Sequence, residues 1–249
     1  MRRLVHTELL KLRTTRTFLF GMASAPVVGA LVTLANYSVA GKQGNEPLGP
    51  HSFVQALGAP ASVITLVALL LGVLGMAGEY RHHTVTTTFL ATPRRGQVVV
   101  AKLLAHGLVG ALMGLGAVAA AGLVAVPWLA SSDVTMHLDG DATRVAVGML
   151  VTPALYAALG VSVGALVRNQ TTAIGTVLVW LLAIEGIIGD VFHSSAFVDW
   201  LPSAVGEELT RVGNGHADLA MPAAGLALLA YVVAFGLLGV RLTARRDIT

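Results

Sequence analysis

The sequence predicts an all-α polytopic membrane protein with six transmembrane helices and both termini on the cytoplasmic side. Three observations carry this. First, hydrophobic residues make up 55% of the 249-residue chain and charged residues only 12%, about half the charge of an ordinary soluble domain, and mean hydropathy is +0.76. Second, crossing the hydrocarbon layer takes about 20 apolar residues as helix, and segments 17–39, 54–77, 98–129, 145–167, 171–189 and 219–240 reach that length. Third, Lys and Arg are one-sided. With the N-terminus inside, only Lys42, Arg144 and Arg211 of the 16 basic residues fall outside, the bias that sets orientation in membrane proteins. Acids run the other way: Glu8, Glu79 and Asp247 lie inside, and Glu185 alone lies within a span. The basic balance is therefore an orientation signal and excludes nucleic acid as a partner. No room is left for a soluble domain, so residues 1–249 read as one transmembrane unit.

In chain order, residues 2–16 carry a short stripe of Val5, Leu9 and Leu12 at helical spacing, with Arg16 falling on it. This predicts an interfacial helix whose basic side faces anionic headgroups. Ser38-Val39-Ala40 resembles a signal-peptidase site, but the apolar run before it is too long for a signal core, so the segment reads as a retained first span. Pro26 and Pro153 predict kinks in spans one and four. The loop after span one is turn-rich, and residues 131–143 carry three aspartates. Arg168-Asn169-Gln170 is a tight turn that makes spans four and five a hairpin. Residues 190–218 contain Phe192, Phe197, Trp200, Leu201, Val205 and Leu209, too apolar to lie free in water. They read as one or two short helices at the outer interface, broken at Pro202 and anchored by Trp200. Gly110/Gly114 and Gly160/Gly164 have the spacing that lets helices approach closely within one bundle.

The polar, basic stretch 78–97 between spans two and three is the candidate functional segment, a surface for a cytoplasmic partner. Thr92-Pro93 reads as an N-cap and first helical residue, starting span three there with Arg94, Arg95 and Lys102 snorkelling to the inner interface. Between Tyr80 and Ala91 two readings stand: Thr84-Val85-Thr86-Thr87-Thr88 favours strand, while Val85 and Phe89 fit one face of a short helix. Glu185 lies 14 residues beyond Thr171, a rise of about 21 Å, in the outer third of the bilayer. It either lines a cavity or reaches the outer surface. Glu79, His82 and His83 form E-x-x-H-H, which matches neither the H-E-x-x-H nor the H-x-x-E-H zinc pattern. Gly160-Val161-Ser162-Val163-Gly164 matches G-x-S-x-G without the strand–turn–helix elbow that motif needs. Zero cysteines excludes disulfides, thiolate metal sites and cysteine nucleophiles. No phosphate-loop motif occurs, so ATP is not bound here in that manner.

Glu79-Tyr80-Arg81, Thr84, Phe89-Leu90-Ala91-Thr92-Pro93-Arg94-Arg95 and Ala101-Lys102 together resemble the membrane subunits of type-2 ABC (ATP-binding cassette) exporters. The leading Glu8-Leu9-Leu10-Lys11-Leu12-Arg13, the closing Arg245-Arg246-Asp247-Ile248 and the six-span plan are similar too, so the resemblance covers essentially the whole chain. One departure is His83, where the family commonly has glycine. The resemblance implies a cytoplasmic coupling helix over 79–93 docked on an ATPase, with Glu79, Tyr80, Arg81, His82, His83, Thr84, Phe89, Pro93, Arg94 and Arg95 as its coupling residues. It implies an elbow helix carrying Glu8, Lys11 and Arg13. It further implies two ABC ATPase subunits that bind ATP and Mg, a second permease copy or a related permease, and no cofactor in this chain. The chain would be a bacterial plasma-membrane permease, not an enzyme, moving a lipophilic or amphiphilic substrate outward by alternating access, with spans two and five and Glu185 along the path. Rival readings are a non-transporting scaffold or sensor using the same loop, and a secondary transporter. The last is disfavoured because only Glu185 could relay an ion and no inverted repeat is visible.

Overall fold

In lipid every backbone N–H and C=O must be satisfied within the chain, which for single apolar stretches means helix. All six stretches are helical in the computed structural model. It describes residues 1–249 except 43–45, 83–94, 133, 136–139, 193–195, 212–219 and 246–249, and only the backbone of 95, 244 and 245. Those described residues form α1 (Arg2–Thr14), α2 (Arg16–Val39), α3 (Ser52–Gly58), α4 (Ala61–Arg81), α5 (Arg95–Ser131) and α6 (Gly140–Val167). Then come α7 (Gln170–Val191), a short 3-10 turn Val198–Trp200, α8 (Pro202–Thr210) and α9 (Met221–Arg245). No strand occurs among them. The second span is α3 and α4 together, interrupted at Ala59-Pro60.

α6 is the centre of the bundle. In its most apolar stretch 61% of residues are buried, against 22% in α2 and 17% in α7. It packs on α4, α5 and α9, while α2 leans on α5. Glycine makes this closeness possible. A methyl group on Gly72 of α4 would overlap the Ala157 carbonyl oxygen, and one on Gly160 of α6 would overlap that of Leu69. Gly110 and Gly114 of α5 meet the carbonyls of Pro153 and Met149 in the same way. Both glycine pairs noted in the sequence are therefore spent inside the bundle.

Pro153 and Gly114 belong to one arrangement. Pro153 has no N–H to offer the carbonyl four residues back, which is Met149, and that oxygen faces the Cα of Gly114. α2 and α6 run through Pro26 and Pro153 as single helices.

At the end carrying the termini, Arg168 closes α6 in the left-handed region at φ 57°. Asn169 then caps α7 by accepting from the Thr172 N–H at 3.1 Å. This is the predicted hairpin turn. At the opposite end Pro202 begins α8 rather than merely breaking a helix, the favoured place for a residue without an N–H.

Candidate functional site

The stripe on α1 faces the bundle. Leu9 and Leu12 pack against the core formed with α2, α4 and α5, and this turns Glu8, beside Leu12 on the same face, inward. Arg13 stays exposed on the other side. Thr15, extended at φ −94° and ψ 122°, separates α1 from the first span.

Inside, Glu8 meets Lys102 of α5, whose side chain is only 3% exposed. Lys102 Nζ donates to Glu8 Oε2 at 2.6 Å, to Glu79 Oε1 at 2.9 Å and to the Gly75 carbonyl at 3.2 Å. Lys11 Nζ donates to the same two carboxylates, at 2.8 Å to Glu8 and 3.1 Å to Glu79. Two ammonium and two carboxylate groups from three helices thus form one neutral cluster. Burial would raise the Glu8 pKa, but Lys102 and then Lys11 outweigh it and hold the carboxyl below its ordinary 4.5. For Lys11, burial pulls down, and Glu8 and Glu79 outweigh it to hold its pKa above 10.5.

The snorkelling expected for Lys102 is therefore corrected. A lysine reaches headgroups when nothing nearby can take its charge, and here two carboxylates do. His106, one turn further on, is buried and donates from Nδ1 to the Lys102 carbonyl at 2.9 Å. Its ring lies where a side chain on Gly75 would be. Nothing in the sequence marks Gly75 or His106 as part of this site, since both depend on how α4 lies against α5.

The end of α4 also touches the α6–α7 turn. The Arg168 guanidinium sits 5.4 Å from the Tyr80 ring centroid, within cation–π range. Arg81 Nη1 donates to Gln170 Oε1 at 3.4 Å, and His82 is exposed. His83, Thr84, Phe89, Pro93 and Arg94 lie outside the described residues; of the expected coupling helix 79–93 only 79–82 are described, and there Glu79, Tyr80 and Arg81 are the last turn of α4. Arg95 begins α5.

Glu185 is 4% exposed. A π-helical turn, Trp180–Ile184, precedes it. Four-residue spacing drifts around a helix of about 3.6 residues per turn; the wider π turn keeps Ala173, Val177, Leu181 and Glu185 toward the bundle. Glu185 Oε2 accepts from the Ser203 N–H at 2.8 Å, filling a donor that every helix N-terminus leaves free. α8 and the turn before it are held at three more points. Tyr156 Oη donates to the Pro202 carbonyl, Tyr231 Oη to that of Trp200 at 2.9 Å, and Arg144 Nη2 meets Glu208 Oε1 at 3.0 Å. Under α8, between α4, α6 and α7, lies a cavity of about 340 Å³. Glu185 does not line it, though its partner Ser203 does. Ser162, centre of the G-x-S-x-G match, is buried and donates to the Ala158 carbonyl at 3.1 Å, as a satisfied helix hydroxyl.

A family model described as "ABC-2 family transporter protein" matches residues 8–196, a stretch that includes Glu8, Lys11, Glu79, Lys102 and Glu185. No curated protein matches the chain.

Proposed function

The chain belongs to the ABC-2 family of transporter proteins, as a multi-pass membrane permease that works with an ABC ATPase, and from that premise we propose that it is the membrane subunit of an exporter. Two copies of the separate ATPase bind ATP and Mg, and a second copy of this chain or a related permease completes the membrane part. The bundle sits in a bacterial plasma membrane with its termini in the cytoplasm, as the Lys/Arg bias directs. It moves a lipophilic or amphiphilic substrate outward.

The observation that carries the coupling role is the ion cluster beside the segment 83–94. Glu79 points inward, so its part in coupling is to tie α4 to α1 and α5, while Arg81 and His82 are left for the ATPase. Force applied to the loop reaches three helices at once, because Lys102 holds Glu8 and Glu79 together. α4 then runs 18 residues from Glu79 to Ala61 beside the cavity, about 27 Å of rigid helix. Rocking of α4 and α7 opens the path at the far end, with Glu185 holding α8 over it.

A pull-down of the tagged chain from its native membrane tests this. A P-loop ATPase should accompany the wild type and be lost or strongly reduced with Arg81→Glu, while the variant still runs as a monodisperse bundle. Failure to recover any ATPase with the wild type would sink the exporter reading in favour of a scaffold.

A further inference from the structure

α8 carries two adjacent acids with opposite fates. Glu208 is buried and paired with Arg144 at 3.0 Å and Arg211 at 3.3 Å. Glu207 is exposed and lines the 340 Å³ cavity, and its carboxylate makes no ion pair or hydrogen bond among the described residues. Among the described residues no Lys, Arg or His lines that cavity. Deeper in it stands Thr152 of α6, 1% exposed, whose Oγ1 has no hydrogen-bond partner among the described residues. A buried hydroxyl without a partner costs about 1–3 kcal/mol. It is thus a second polar group built toward the same space as the carboxylate. The remaining wall is largely apolar, with Leu66, Leu181 and Leu182, and the mouth opens beside Val63 and Leu182, which are 42% and 69% exposed. The volume lies at the small end of sites that hold small molecules, about 300–1,000 Å³.

We infer that this cavity binds an amphiphilic amine. Its ammonium takes the Glu207 carboxylate in a charge-assisted hydrogen bond, Thr152 Oγ1 meets a polar group on its body, and the apolar body lies along the leucines of α4 and α7. The site follows from the geometry of this chain; only its place on the transport route rests on the exporter reading. The π turn contributes directly, because Leu181 and Leu182 belong to it.

The test is direct binding, with no ATPase present. The full chain in phosphatidylcholine nanodiscs is titrated with dansylcadaverine, a primary amine on an environment-sensitive fluorophore, and with its uncharged N-acetyl derivative. The expected result is saturable binding of the amine, absent from empty discs and at least tenfold weaker for the acetylated probe. Glu207→Gln should weaken the amine at least tenfold and leave the acetylated probe unchanged, and Glu46→Gln, an exposed acid elsewhere on the same end, should change neither. Equal affinity for the two probes, no effect of Glu207→Gln, or no saturable binding overturns the inference. Binding as expected from a chain that recovers no ATPase leaves this site standing and removes the exporter reading, and the reverse pattern separates them the other way.

Discussion

Lys102 shows how burial and charge are reconciled in this protein. Taking an ammonium out of water costs several kcal/mol unless close partners repay it, and here two carboxylates and a carbonyl do. Lys102→Met keeps the volume and leaves Glu8 and Glu79 buried around Lys11 alone, so we expect a loss of about 3–5 kcal/mol, read as a lower thermal midpoint in detergent. Adding Glu8→Gln should recover part of that loss, and the double-mutant cycle would expose the coupling; strictly additive losses would mean the pair does not interact. The cluster also predicts a pH window. Glu8 is depressed, so its contribution is complete above 4.5 and is lost as pH falls below that value. Lys11 is raised, so its contribution is complete below 10.5 and is lost as pH rises beyond it. The cluster should therefore add no slope to thermal stability through neutrality and contribute a fall in acid, and that contribution should shrink in Glu8→Gln.

Among the helices, α7 and α8 are joined by Glu185. α7 is the least buried span, and it meets α8 through one carboxylate on one N–H. A charge-assisted hydrogen bond of this kind contributes about 1.5–3 kcal/mol. Glu185→Leu should free the first turn of α8, speeding hydrogen exchange of its amides about tenfold or more while α6 amides keep their protection. Unchanged exchange over 203–210 would show that Tyr156, Tyr231 and Arg144 suffice. Arg168 illustrates a different balance. A non-glycine residue at positive φ costs roughly 1–2 kcal/mol, offset here by the guanidinium lying on Tyr80.

The whole bundle was legible where the deciding signal is one-dimensional. Apolar length set the six spans, Pro202 marked α8, and the Gly110/Gly114 and Gly160/Gly164 pairs announced close helices. Legibility failed wherever partners are distant in sequence. Lys102 and Glu8 stand 94 positions apart, so a reading by depth alone sends the lysine to the headgroups. The cavity draws its walls from four helices, and nothing about Thr152 or Glu207 taken singly points to it. The π turn leaves only the four-residue spacing ending at Glu185, which a regular helix would have spread around its surface. The interlocked charges also acquire a meaning in time. Glu8 leaves the ribosome early, Glu79 much later and Lys102 last. Until α5 has entered the membrane, the N-terminal helix has only its own Lys11 to answer its carboxylate and lacks its main packing partner. Docking of the leader thus waits on the third span, and a chain stalled before that span is expected to leave its basic helix undocked and open to protease.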